Sequence, residues 1–215
     1  MKYLIATVRI LFLGLFLFLI IMGKPMLWLG VFAISLIAAL FFGRVYCGYI
    51  CPMNTLMIPT ESLSKKLKIQ TDKTPDWLKS TKFSVIALIA SVVIVIIAQK
   101  VLHKNIPILP VWIALAVIVT LKYKPAVFHN LVCPFGVLQK SFGKSSKLCT
   151  IVNEENCIGC KICEKTCPSN AILVVAENKK ASIDTSLCFQ CTSCQQVCPK
   201  DAIHYERVKT SSEVS

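Results

Sequence analysis

Eight of the chain's 12 cysteines fall in two copies of one pattern, 31 residues apart. Cys157-Ile-Gly-Cys160-Lys-Ile-Cys163-Glu-Lys-Thr-Cys167-Pro168 is followed by Ser-Asn-Ala171-Ile172. Cys188-Phe-Gln-Cys191-Thr-Ser-Cys194-Gln-Gln-Val-Cys198-Pro199 is followed by Lys-Asp-Ala202-Ile203. Each half reads C-x2-C-x2-C-x3-C-P. A triplet at this spacing wraps three thiolates around one face of a cubane iron–sulfur cluster, and the fourth cysteine lies too far along to close the same cube. The pattern therefore predicts two [4Fe-4S] clusters. One is held by Cys157, Cys160, Cys163 and Cys198, the other by Cys188, Cys191, Cys194 and Cys167. Pro168 and Pro199 hold the preceding cysteine extended and keep an N–H off the adjacent sulfur. Structural zinc prefers two C-x2-4-C pairs with a spacer, and disulfides are disfavoured in a reducing compartment. Cys149 stands alone in what reads as a linker and is given no role.

The rest of the chain is of another kind. Of 215 residues, 55% are hydrophobic and only 16% charged, against about 25% charged in an ordinary soluble domain. Mean hydropathy is +0.65. Residues 1–150 carry 17 basic and 3 acidic side chains, whereas residues 151–208 carry 6 and 7. The basic residues flank apolar runs and form no patch interleaved with aromatics, so nucleic acid is not an expected partner. The runs are Tyr3 to Met22, Pro25 to Gly43, Phe83 to Gln99 and Asn105 to Leu121. As helices they reach ~25–30 Å, a bilayer's hydrocarbon thickness. Four transmembrane helices are expected over residues 1–145, followed by an iron–sulfur domain over 150–208 and a polar tail, 209–215. No small-x-small site follows the first run, only Gly23-Lys24-Pro25, so it reads as a retained helix.

Lys24, Lys100 and Lys104 flank one membrane face, while 14 basic residues, Arg44 among them, flank the other. The excess predicts that both termini and the cysteine-rich domain are cytoplasmic, in a multi-pass protein of the cell membrane. Leu56 to Ile69 reads either as a short helix on the lipid surface or as a solvated loop.

A second, fainter repeat runs at an offset of 82. Tyr46-Cys47-Gly-Tyr-Ile-Cys51-Pro52 aligns with Phe128-His129-Asn-Leu-Val-Cys133-Pro134, and Pro25 aligns with Pro107. Each unit is then a two-helix hairpin, and two such units are related by an axis along the membrane normal. Cys47 and Cys51 share one helix face at four-residue spacing, as do His129 and Cys133. Both pairs are expected at the ends of even-numbered helices, each stopped by proline. Converging, Cys47, Cys51, His129 and Cys133 offer three sulfurs and an imidazole to a third iron–sulfur or metal centre at the membrane face. The alternative is packing, since cysteine is often a small buried hydrophobe.

The cysteine-rich segment resembles the bacterial-type two-cluster ferredoxins at every ligand position. That resemblance implies a small pseudo-twofold α+β sandwich. Gly43-Arg44-x-Tyr46-Cys47-Gly48-x-x-Cys51-Pro52, a second x3-Cys-Pro and a terminal two-cluster ferredoxin together resemble the membrane-bound ferredoxins of the NapH/NosR type, over residues 5 to 207. The resemblance implies single-electron relay between a cytoplasmic partner and a membrane partner, the quinone pool or a partner subunit. The alternatives it carries are an accessory role in metalloenzyme assembly and a redox sensor. His129 stands where that group has cysteine. With no G-x-G-x-x-G and no C-x-x-C-H, neither a dinucleotide site nor a c-type haem is indicated. The three histidines, His103, His129 and His204, cannot supply a dihaem site. No catalytic acid, base or nucleophile constellation is visible, which fits an electron-transfer subunit without a catalytic site of its own.

Overall fold

The computed structural model describes residues 2–71, 82–101 and 108–207. His103, Pro107 and the polar tail 209–215 lie outside the described residues. The four apolar runs form helices: α1 (Lys2–Ile21), α2 (Met26–Phe42), α4 (Lys82–Lys100) and α5 (Ile108–Lys122). Among the described residues α1 and α4 are long and apolar enough to cross a membrane; α2 and α5 are shorter apolar helices. Tyr3, Ile21 and Ile86 are among many large apolar side chains left on the outside. In general, exposed apolar surface on this scale is a feature of membrane or protein interaction sites.

The chain divides into two compact units. By contacts, the segments 33–48 and 139–145 group with the cysteine-rich region. The first unit comprises Met1–Phe32 and Tyr49–Leu138. Its core joins Phe16, Trp28 and Leu109, with Phe16 and Trp28 edge to face at 5.1 Å. Between α2 and α4 lies α3 (Pro52–Lys66), a full helix packed against α5 and α1. Residues 56–69 are thus neither a solvated loop nor a helix resting only on lipid. Ser64 is buried and donates to the Leu121 carbonyl at 2.5 Å, while the Thr71 N–H donates to the Lys122 carbonyl at 2.8 Å. Leu63 remains exposed on its outer side.

After α5 come a single turn, α6 (Pro125–Val127), a π-helical turn, π2 (Phe128–Val132), and α7 (Pro134–Gly143). A matching π-helical turn, π1 (Tyr46–Ile50), precedes α3. The two π turns are offset by 82 residues, so the faint repeat is repeated in the backbone. Cys51 (φ −64°, ψ 118°) and Cys133 (φ −67°, ψ 117°) both break out into extended geometry. Pro52 and Pro134 then open the next helix, where a missing N–H costs nothing. This corrects two expectations. The motifs follow α2 and α5 instead of ending them, and proline starts a helix instead of stopping one. Neither Cys47 with Cys51 nor His129 with Cys133 sits on one α-helical face, because a wide turn and an extended residue intervene.

The second unit comprises Ala33–Gly48 and Gln139–Ser215. Its cysteine-rich part runs β1 (Leu148–Val152), α8 (Ile162–Thr166), β2 (Ile172–Val174), β3 (Ala181–Ile183), α9 (Ser193–Gln196) and β4 (Ile203–Arg207). Strands β1 and β4 pair antiparallel, with Thr150 opposite Tyr205; β2 and β3 pair antiparallel, with Leu173 opposite Ser182. Shifting by 31 residues superposes β1-α8-β2 on β3-α9-β4. Each half therefore pairs its outer strand with the other half's, which is the arrangement of a pseudo-twofold α+β module. Cys149 lies within β1, not in a linker.

Candidate iron–sulfur sites

Both cysteine loops rest on the same unusual backbone. Gly159 and Gln190, Lys161 and Thr192, and Asn170 and Asp201 all have positive φ, and each pair is offset by 31. Such residues are uncommon outside glycine and mark a chain bent around something it encloses. At Gly159 (φ +67°) a Cβ would stand 2.0 Å from the Lys179 carbonyl oxygen, so only glycine fits. Lys161 and Thr192 stand at the N-terminal ends of α8 and α9, which carry Cys163 and Cys194.

The first predicted set comes together. Cys157, Cys160, Cys163 and Cys198 line one hollow, walled by Val152, Val174 and Ile203. Cys198 reaches it from the other half, as the spacing requires. The second set is also mutually close. Burial pushes the Cys188 thiol up to about 12, and the neighbouring Cys191, Cys194 and Cys167 push it the same way. Burial likewise raises Cys194 to about 12, with Cys191 and Cys167 adding to it. The sets differ in access. Cys160 is exposed, whereas Cys188, Cys191 and Cys194 are all buried.

Backbone N–H groups point at the sulfurs. Ala171 donates to Cys167 Sγ at 3.3 Å and Ala202 to Cys198 Sγ at 3.4 Å, again 31 apart. Ala181 donates to Cys157 Sγ and Gln190 to Cys188 Sγ, both at 3.4 Å. Donors of this kind hold thiolate charge and help set a cluster's potential. Cys163 and Cys194 also join Ile172, Ala181 and Ile203 in the core. A core built this largely from thiols, with donors aimed at them, fits cubane ligation and fits plain hydrophobic packing poorly. When bound, each cube stores and releases one electron; the chain holds it, shields it and aims N–H groups at its ligands.

The third set is placed differently. Cys47 belongs to the second unit, and Cys51, His129 and Cys133 belong to the first. All four are buried. His129 lies edge-on to Phe128 at 5.9 Å. Among the described residues no three His, Cys, Asp or Glu side chains close on a point as a single metal ion requires. A cube takes one thiolate at each iron and has no such requirement.

Arg44 is given no role in the sequence reading, where it appears as a flanking charge and as part of the Gly43-to-Pro52 motif. It is 0% exposed. Its Nη2 lies 3.8 Å from Cys47 Sγ, and its guanidinium carbon lies 5.0 Å from the centre of the Phe189 ring. Phe189 is itself buried and sits between Cys188 and Cys191. Gly48 backs directly onto this loop; a Cβ there would stand 2.2 Å from the Phe189 carbonyl oxygen. Gln190 accepts from both the N–H (2.9 Å) and the hydroxyl (2.7 Å) of Thr150, tying the loop to β1. The available signal was the glycine-flanked Gly43-Arg44-x-Tyr46-Cys47-Gly48 string.

These features define an iron–sulfur protein: a helical N-terminal region followed by ferredoxin-type domains, with two [4Fe-4S] clusters. Comparison with known proteins agrees. A family described as a 4Fe-4S binding domain matches residues 24–70 and 105–150, and one described as a 4Fe-4S dicluster domain matches residues 156–202. The first match is itself double and spans both π turns. An uncharacterized protein of Methanocaldococcus jannaschii is 29% identical over 140 residues, 63% of this chain. The chain spans 55% of that relative's length. No solved structure matches.

Proposed function

We propose that this chain is a membrane-anchored electron relay of the NapH/NosR type. It passes single electrons between a soluble partner on the ferredoxin side and a membrane acceptor, the quinone pool or a partner subunit. The observation that carries the reading is the joining of α1 and α4, each long and apolar enough to cross a bilayer, to a two-cluster module in one chain. In this reading Cys157, Cys160, Cys163 and Cys198 hold one cube and Cys188, Cys191, Cys194 and Cys167 the other. All four apolar helices lie in the membrane, and the ferredoxin module is cytoplasmic, as the basic flanks favour. Cys47, Cys51, His129 and Cys133 are the ligands of a third centre, an intermediate station toward the lipid phase; the doubled match over 24–70 and 105–150 supports them.

The chain, reduced in liposomes that carry a lipid-soluble quinone, tests the relay. Bleaching of the cluster absorption should reverse as the quinone takes electrons. Persistence of the reduced state, while a water-soluble one-electron acceptor reoxidises it at once, would contradict the membrane half of the proposal.

A further inference from the structure

Among the described residues Arg44 is the one lysine or arginine that is buried. A charge taken out of water is costly unless it is paired and hydrogen-bonded, and once buried it acts on its neighbours with little screening. Arg44 lies against Cys47 and Gly143 and, on another side, against one cysteine loop. Its guanidinium stacks on Phe189, at 5.0 Å, within the Cys188-to-Cys191 segment. Gly48 closes on the Phe189 backbone, and the Gln190 amide nitrogen lies 3.0 Å from where a Cβ on Gly43 would be. The segment from Gly43 to Gly48 thus seats on this loop at three successive points and brings the cation with it. The other cluster's set opens to solvent at Cys160, beside exposed Lys161 and Lys200, whose charges water screens.

A reduced cube carries one more negative charge than an oxidised one. Burial alone disfavours that extra charge and lowers the potential; a fixed cation in the same low-dielectric surroundings favours it. We propose that Arg44 raises the reduction potential of the cluster held by Cys188, Cys191, Cys194 and Cys167, so that an electron entering at the exposed Cys160 side comes to rest there, beside Cys47. In that step the first cube is oxidised by one electron and the second is reduced by one, and no bond or proton moves. The inference rests on the ligand assignment proposed above. Arg44 acts through its field and is a positioning residue.

The test is a redox titration of the full chain in detergent, followed by the paramagnetic signals of the reduced clusters. C191S identifies the signal in question by its loss. In R44Q that signal's midpoint should fall by the equivalent of at least a tenfold change in the reduced-to-oxidised ratio, ~59 mV for a one-electron couple. The other midpoint should move far less, and R44K should retain most of the wild-type value. Both clusters assembled in R44Q with both midpoints unchanged, or with both lowered equally, would overturn the proposal. If R44Q does not assemble the buried cluster, the unmutated chain decides. Raising the salt should shift the exposed cluster's midpoint and leave the buried one in place, and equal shifts would overturn the proposal. A wild-type chain showing only one cube would sink the ligand assignment instead.

Discussion

Cys149 and Gly159 show how differently single residues can serve this module. Cys149 is fully buried in β1, its sulfur 2.7 Å from the Ser146 hydroxyl. Burial raises its thiol above the ordinary thiol range, against smaller lowering effects from Ser146 and Gln190. The folded chain therefore keeps this proton where the unfolded chain loses it. Its contribution to stability is present below the ordinary thiol pKa and lost as the pH climbs past it. Iodoacetamide should leave Cys149 unlabelled in native protein at pH 8.5 and label it rapidly in urea; fast native labelling at that pH would show the thiol to be accessible. Gly159 has the opposite character: it matters for lacking a side chain. G159A forces a Cβ onto the Lys179 carbonyl at a positive φ, costing on the order of 1–3 kcal/mol in backbone strain alone. It should lower the iron content by about four per chain by loosening the Cys157–Cys163 loop, with the second cluster kept. Full retention of both cubes in G159A would mean that the loop has slack that the structure does not show.

At the scale of elements, spacing made the ferredoxin half legible, because three cysteines with two residues between each leave little conformational choice. The swap of Cys167 and Cys198 between halves is expected from x3 alone, and β1 pairs with β4 and β2 with β3 across the same two halves. The π turns were not legible. Cys47 and Cys51 at i, i+4 look like one helical face, yet the proline after each Cys-x3-Cys or His-x3-Cys opens a new helix and leaves the cysteine extended. Apolar runs fixed where helices lie but not how α3 would pack, since its sequence is only weakly amphipathic and its buried Ser64 finds its partner 57 residues away. The strands of the ferredoxin module are as short as three residues, and its core contains Cys163 and Cys194 beside only a few aliphatics. Small modules of this kind need a staple beyond their apolar core. Removing iron with a chelator under reducing conditions should abolish the cooperative unfolding of residues 148–207, read by loss of amide protection in β1 and β4, while α1 and α5 stay protected. Strand protection unchanged without iron would show that the polypeptide alone sustains the fold.

For the whole molecule, one chain joins a greasy helical region to a two-cube module that is nearly neutral in charge. The buried cluster loop is in contact with Arg44 and Gly48, whereas the other set reaches solvent at Cys160. In the proposed relay, that asymmetry supplies an entrance and an interior. It rests on both cubes being present in the intact protein. Iron, acid-labile sulfide and paramagnetic signals measured together on anaerobically purified full-length chain test this most directly. Two reducible [4Fe-4S] signals should be found, with about eight iron and eight sulfide assigned to the C-terminal cysteines. Any further iron should disappear on changing Cys51 or Cys133 to Ala. A colourless protein containing zinc, or both cubes kept intact after loss of Cys167 or of Cys198, would contradict the account.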